Sequence, residues 1–109
     1  MNLGEMLSGM ARARETMERV QSELAQKTVE GLAGGGMIKV TANGRQEIVS
    51  VKIDPALLAM NDAGMAEDLV KVATNQALEK ARELAAGEMR SLLGGLGPLG
   101  PLRSMLGGG

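Results

Sequence analysis

Met37-Ile38-Lys39-Val40-Thr41-Ala42-Asn43-Gly44-Arg45-Gln46-Glu47-Ile48-Val49-Ser50-Val51-Lys52-Ile53-Asp54-Pro55 is the stretch on which the fold turns. Two runs rich in β-branched residues, Met37 to Ala42 and Arg45 to Ile53, flank Asn43-Gly44. Asn-Gly between two such runs is the strongest short-range hairpin signal, because a type I′ turn needs positive φ at two successive residues. A two-residue loop sets Ala42 opposite Arg45 and Ile38 opposite Val49. That register puts Ile38, Val40, Ala42, Val49, Val51 and Ile53 on one face. It leaves Met37, Lys39, Thr41, Gln46, Ile48, Ser50 and Lys52 on the other. Asp54-Pro55 then stops the sheet, with Asp as a cap and Pro at the first position of a short helical turn through Ala59.

Outward from the hairpin, Gly34-Gly35-Gly36 breaks the chain, and Lys27 to Ala33 is a third strand candidate around Thr28 and Val29. Residues 3–26 read as a helix. Leu3, Met6, Met10, Ala13, Met17, Val20 and Leu24 alternate at spacings of three and four, a heptad seam held for three heptads. Asn2, three residues before Glu5, caps its start. Downstream, a second long helix is expected from about Ala63 to Leu92, with Asp62 as its cap and Ala66, Val70, Ala73, Ala77, Ala81 and Leu84 forming a stripe suited to close packing. From Gly94 the helical pattern stops. The last 16 residues hold seven Gly and two Pro among Leu residues, so 93–109 is expected to be a flexible Gly/Pro/Leu-rich tail to a single domain spanning 1–92.

The resulting architecture is α+β: long helix, three-stranded antiparallel sheet, long helix (α-β-β-β-α). A helix of 24 residues is about 36 Å long at 1.5 Å per residue, whereas strands of seven to nine residues reach only about 23–30 Å. Each helix therefore overhangs the sheet. The chain has no Phe, Tyr or Trp, so nine Met with Leu, Val, Ile and Ala must build the core without the largest contributors of buried area. Both features predict a homo-oligomer, with a dimer the commonest closed form. The contact surfaces are expected on the Met seam and on the spare face of the sheet.

The composition also limits the chemistry. With no Cys and no His, disulfides, thiol nucleophiles and zinc sites of the usual Cys/His type are excluded, and no side chain titrates near neutrality when unperturbed. No metal or other cofactor, and no small-molecule substrate, is expected. Gly31-Leu32-Ala33-Gly34-Gly35-Gly36 lacks the Lys-Ser/Thr pair of a phosphate-binding loop. Gly95-Leu96-Gly97-Pro98-Leu99-Gly100 matches the dinucleotide pattern in letters only, since it follows a helix and opens none. Carboxylate pairs such as Glu79 and Glu83 have no partner base, so the chain is not expected to be an enzyme. No run reaches the roughly 20 apolar residues of a membrane span, and the N-terminus has no signal-peptide pattern. The Cys-free composition suits a reducing cytoplasm.

Formal net charge is −1, but the charge is segregated. Residues 54–68 hold four acidic groups and no basic one, while 69–109 hold five basic and three acidic. Glu15/Arg19, Glu23/Lys27 and Glu67/Lys71 are spaced as i,i+4 ion pairs, whereas Arg12, Arg14, Arg82, Arg90 and Arg103 lack so good a partner. Arg12 and Arg19 share one heptad position and project from one side, two turns apart. Repeated in a symmetric dimer, such arms suit a phosphate backbone. Without aromatics, stacking on single-stranded bases is excluded.

Gly36-Met37-Ile38-Lys39-Val40-Thr41-Ala42-Asn43-Gly44, followed by Val51-Lys52-Ile53-Asp54-Pro55-Ala56-Leu57-Leu58, resembles the central signature of the YbaB/EbfC family of bacterial nucleoid-associated proteins. Glu67-Asp68-Leu69-Val70, Asn75-Gln76-Ala77 and Gly94-Gly95-Leu96-Gly97-Pro98 extend the resemblance over nearly the whole chain. It implies a cytoplasmic, nucleoid-associated homodimer of α-β-β-β-α topology, tweezer-like in shape, that binds duplex DNA through its projecting helices and coats or compacts it. The resemblance transfers a region and no individual contact. Within that region the candidate DNA-binding residues are Arg12, Arg14 and Arg19, then Lys80, Arg82 and Arg90. A protein-interaction adaptor, using the Met seam and the tail, is the alternative function.

Overall fold

The computed structural model describes residues 2–94. Its elements run α1 (Leu3–Gln26), β1 (Thr28–Ala33), β2 (Ile38–Asn43), β3 (Ile48–Ile53), α2 (Pro55–Ala59) and α3 (Ala63–Gly94). This is the expected α-β-β-β-α order, and the three strands form one antiparallel meander, β1-β2-β3. The expected caps form. Asn2 Oδ1 accepts from the Glu5 amide at 2.7 Å, Asp54 Oδ1 from Ala56 at 2.8 Å and Asp62 Oδ1 from Met65 at 3.0 Å, each satisfying an amide that the first helical turn leaves without a partner. α3 runs to Gly94; the expected tail otherwise falls on residues 95–109, which lie outside the described residues.

The hairpin register departs from expectation. Ile38 pairs with Ile53 and Val40 with Val51, and a bulge between Thr41 and Ala42 brings Ile48 opposite Ala42. The loop is longer than two residues because the Asn43 side chain closes it. Asn43 Oδ1 accepts from the amides of Arg45 (2.9 Å) and Glu47 (3.1 Å), and Asn43 Nδ2 donates to Glu47 Oε1 at 2.9 Å. The main chain closes in the same place, Gln46 N donating to Asn43 O and Asn43 N to Glu47 O, both at 2.9 Å. Gln46 sits at φ 64. This is a three-residue loop ending in a left-handed residue, in place of the two-residue turn that Asn-Gly predicts. Val49 becomes the extra residue of the bulge, and Ile48 joins the apolar side.

α3 lies across one face of β1 and β2. Ala73, Ala77 and Ala81 are fully buried against Ala33, Ile38, Val40 and Ala42, with Leu57 of α2 closing the end. The approach is so close that a Cβ on Gly31 would stand 2.0 Å from Ala73 O and 2.6 Å from Ala77 N. The alanine stripe thus serves as expected, with glycine on the strand as its counterpart.

β3 lies outside this cover. Ile48, Val49, Val51 and Ile53 are 41%, 52%, 47% and 38% exposed, although Val51 and Ile53 stand beside the buried Val40 and Ile38. The expectation that β3 residues complete the core face is corrected: their face is right, apart from Val49, but α3 does not reach them. The opposite face is polar, with Thr41 paired to Ser50 and Lys39 to Lys52, and Lys39 Nζ lying 3.2 Å from Glu30 Oε2.

Only the end of α1 joins the domain. Val20 and Leu24 are buried, and Gly44 packs under Leu24, its amide donating to Leu24 O (2.8 Å) and Lys27 O (3.0 Å). The rest of α1 projects, which gives the molecule extents of 68 × 35 × 16 Å.

Candidate nucleic-acid interface

A phosphate-binding arm needs cations on an element that stands clear of the body, and α1 has that form. Residues 3–19 are exposed apart from the half-buried Thr16. Arg12 and Arg14 lie on this free part, and Arg14 Nε reaches Glu18 Oε1 at 3.2 Å with 83% of its side chain still exposed. Arg19 stands where α1 meets α3, in an open groove lined by Val20, Glu23, Glu88, Ser91 and Leu92. Arg90 is exposed on the same turn of α3 as Ser91 and Leu92, so Arg19 and Arg90 share one end of the molecule.

Lys80 and Arg82 lie further along α3 and are engaged. Lys80 Nζ donates to the carbonyl of Glu30 in β1 at 2.9 Å, and Arg82 Nη2 donates to Glu79 Oε2. The six candidates therefore form an outer group on α1, a junction pair, and two α3 residues held by neighbours.

The i,i+4 pairs read from spacing are not the ion pairs formed among the described residues. Arg14 takes Glu18, Arg82 takes Glu79 three residues back, and Lys27 takes Glu88. Lys27 could have paired along its own helix with Glu23, but it stands past the last turn of α1, where α3 presents Glu88. The Glu88 hydrogen bond raises the Lys27 pKa above its usual value. Partial desolvation opposes the rise, and the charges of Glu88 and Glu23 add to it.

Sequence reasoning missed the bare β3 row. The row is bare because α3 packs on β1 and β2 alone, and strand alternation marks a face without marking how far its cover extends. Among the described residues no group of three His, Cys, Asp or Glu could hold a metal ion, and no helix is long and apolar enough to cross a membrane.

The model of the YbaB/EbfC DNA-binding family matches residues 1–96. The chain belongs to that family. Among its curated relatives, a nucleoid-associated protein of Thermoanaerobacter sp. (strain X514) is 46% identical over 95 residues, covering 87% of this chain and 86% of the relative. A nucleoid-associated protein of Moorella thermoacetica is 43% identical, covering 87% and 91%. The crystal structure of an uncharacterized protein from Helicobacter pylori superposes with a TM-score of 0.73 at 20% identity, covering 85% of this chain and 98% of that one; it supports the fold alone. YbaB/EbfC membership makes this a chain of a nucleoid-associated, DNA-binding family that is not a known enzyme family. The adaptor reading is not favoured.

Proposed function

We propose that the chain works as a homodimer that binds duplex DNA through phosphate contacts from its helices, organising DNA or affecting gene expression in the nucleoid of the cytoplasm. The observation that carries this reading is α1 itself, a long arm with Arg12 and Arg14 exposed on a member of a DNA-binding family. One subunit has a net charge of −1, so affinity has to come from local cations. Arg12, Arg14 and Arg19 make the leading contacts and Arg90 adds to them at the junction; Lys80 and Arg82 contribute where they leave Glu30 and Glu79.

The dimer forms over β3. An edge strand offers unpaired amides and carbonyls to a second strand, and here the edge also carries the exposed row of Ile48, Val51 and Ile53. A second copy covering that row buries it and leaves each α1 arm free, so two sets of arginines face one duplex. No membrane takes part.

The test is binding to duplex DNA from low to physiological salt. Phosphate contacts give a log–log slope of about −0.9 per neutralised phosphate. Replacing Arg12, Arg14 and Arg19 together by Glu is expected to lower affinity about tenfold or more and to flatten that slope, with the dimer intact. A folded dimer without detectable DNA binding at low salt overturns the reading. Unchanged affinity in the triple variant overturns the residue assignment.

A further inference from the structure

Asn43-Gly44 is the one Asn-Gly step in the chain; the other asparagines, Asn2, Asn61 and Asn75, precede Leu3, Asp62 and Gln76. An asparagine can lose its side-chain amide without an enzyme. The backbone nitrogen of the next residue attacks Cγ, a five-membered succinimide closes and ammonia leaves; water then opens the ring to aspartate or isoaspartate. Glycine in the next position favours the reaction, because no Cβ obstructs the ring and the backbone turns freely. Three things are needed at Asn43: a Gly44 nitrogen free to lose its proton, a carboxamide free to rotate, and water.

The fold withholds all three. Gly44 N donates to Leu24 O at 2.8 Å and to Lys27 O at 3.0 Å. Asn43 Oδ1 accepts from the Arg45 amide at 2.9 Å and the Glu47 amide at 3.1 Å, while Nδ2 donates to Glu47 Oε1 at 2.9 Å. Asn43 is 4% exposed, and Gly44 is buried beside it. The hold on the attacking nitrogen belongs to α1 alone. Both acceptors come from its last turn and its cap, and the Leu24 side chain covers Gly44, with Cδ2 2.8 Å from where a Cβ would stand. Leu24 takes no part in the core cluster that α3 makes with the sheet, so the end of α1 can lift while that core stays whole. Local opening of this kind costs less than unfolding the domain.

We propose that Asn43-Gly44 is a latent deamidation site which the end of α1 keeps shut, and whose reaction turns a reversible release of α1 into a permanent one. When α1 lifts, the Gly44 nitrogen loses both acceptors and water reaches Asn43. Asn43 and one water then become aspartate or isoaspartate and one ammonia, with no change of oxidation state. Neither product refits. A carboxylate has no proton to give Glu47 Oε1, as Nδ2 does, and it sets like charges at hydrogen-bond distance in a buried place. Isoaspartate runs the main chain through Cβ and Cγ, one carbon longer, and so moves Gly44 out from under Leu24. The altered chain keeps its core while α1 stays detached.

The test follows deamidation in the full-length chain at neutral pH and needs no DNA. Trypsin, cutting after Lys39 and Arg45, releases the segment from Val40 to Arg45, whose mass and retention report the product. The folded chain is expected to react at least tenfold slower than the chain unfolded in guanidinium chloride, since the rate follows the open population when opening is fast. Leu24→Ala, which weakens the hold of α1, is expected to speed the folded reaction at least severalfold. Ile38→Val trims the core cluster away from α1 and is expected to leave it within twofold. In Asn43→Asp, one of the two products, the amides of Val20, Leu24 and Gly44 are expected to exchange at least severalfold faster, while those of Val40 and Ala77 do not. Equal rates in the folded and unfolded chains, no gain from Leu24→Ala, a gain from Ile38→Val as large as the fall in its folding constant, or unchanged exchange in Asn43→Asp each overturns the proposal.

Discussion

Gly31 has backbone on the far side of its missing side chain: Ala73 O would lie 2.0 Å and Ala77 N 2.6 Å from an added Cβ. Backbone cannot rotate away as a side-chain tip can, so Gly31→Ala must lift α3 off β1. We expect a loss of about 3 kcal/mol, at the upper end for overpacking, read as a lower midpoint in denaturant unfolding. Gly9→Ala is the counterpart. Nothing lies within 4 Å of its added Cβ, and in the second turn of α1 the change is expected to stabilise by up to about 1 kcal/mol. Lys27 gives a pH prediction. Its pKa is raised above 10.5, first by the Glu88 hydrogen bond. A raised pKa contributes stability that is fully present below the unfolded value and is lost as pH rises through the folded value, so the effect belongs to alkaline solution above about 10.5. In the Glu88→Gln variant the Lys27 pKa, followed by carbon-detected NMR of its ε carbon, is expected to fall back toward 10.5, and the alkaline loss of stability to shrink.

At the scale of the elements, much was legible because hydrophobic periodicity states which face is covered. The heptad seam gave α1, the alanine stripe gave the buried side of α3, and Asp54-Pro55 gave the end of the sheet. Register was not legible. Asn43-Gly44 suits a two-residue turn, and only the hydrogen bonds of the Asn43 side chain select the longer loop. Ion pairs were equally hidden, because long side chains choose among all neighbours in space and the spacing rule sees only those on one helix. The bare β3 row makes a prediction of its own. Val51→Lys puts a charge into that row without touching the buried core, so the subunit is expected to stay folded by circular dichroism. Sedimentation is expected to show the dimer weakened at least tenfold, whereas Lys52→Ala on the polar face leaves it unchanged. A dimer unaffected by Val51→Lys places the subunit contact elsewhere.

Over the whole molecule, order is graded from the sheet outward. Ile38, Val40, Ala73 and Ala77 are fully buried, while the first turns of α1 carry Gly4 and Gly9 and no buried side chain. Hydrogen exchange is expected to be slowest in β2 and the middle of α3 and fastest at the start of α1, spanning several orders of magnitude. Uniform protection along α1 would contradict that gradient. The candidate interface was legible only as a region, since the sequence marks arginines on helices but not which of them the neighbours occupy; Lys80, held by Glu30 O at 2.9 Å, shows the difference. The clamp of Gly44 beneath Leu24 has a mechanical side. It fixes α1 at one end, so the helix is a lever about 30 Å long pivoting near residue 24, and a tilt of about 10° moves its tip by about 5 Å. In the proposed dimer, a pair of such levers would adjust its span by a sizeable part of a groove width at little cost in core packing, which would give the proposed DNA binding a mechanical basis for gripping a duplex with little regard to its sequence.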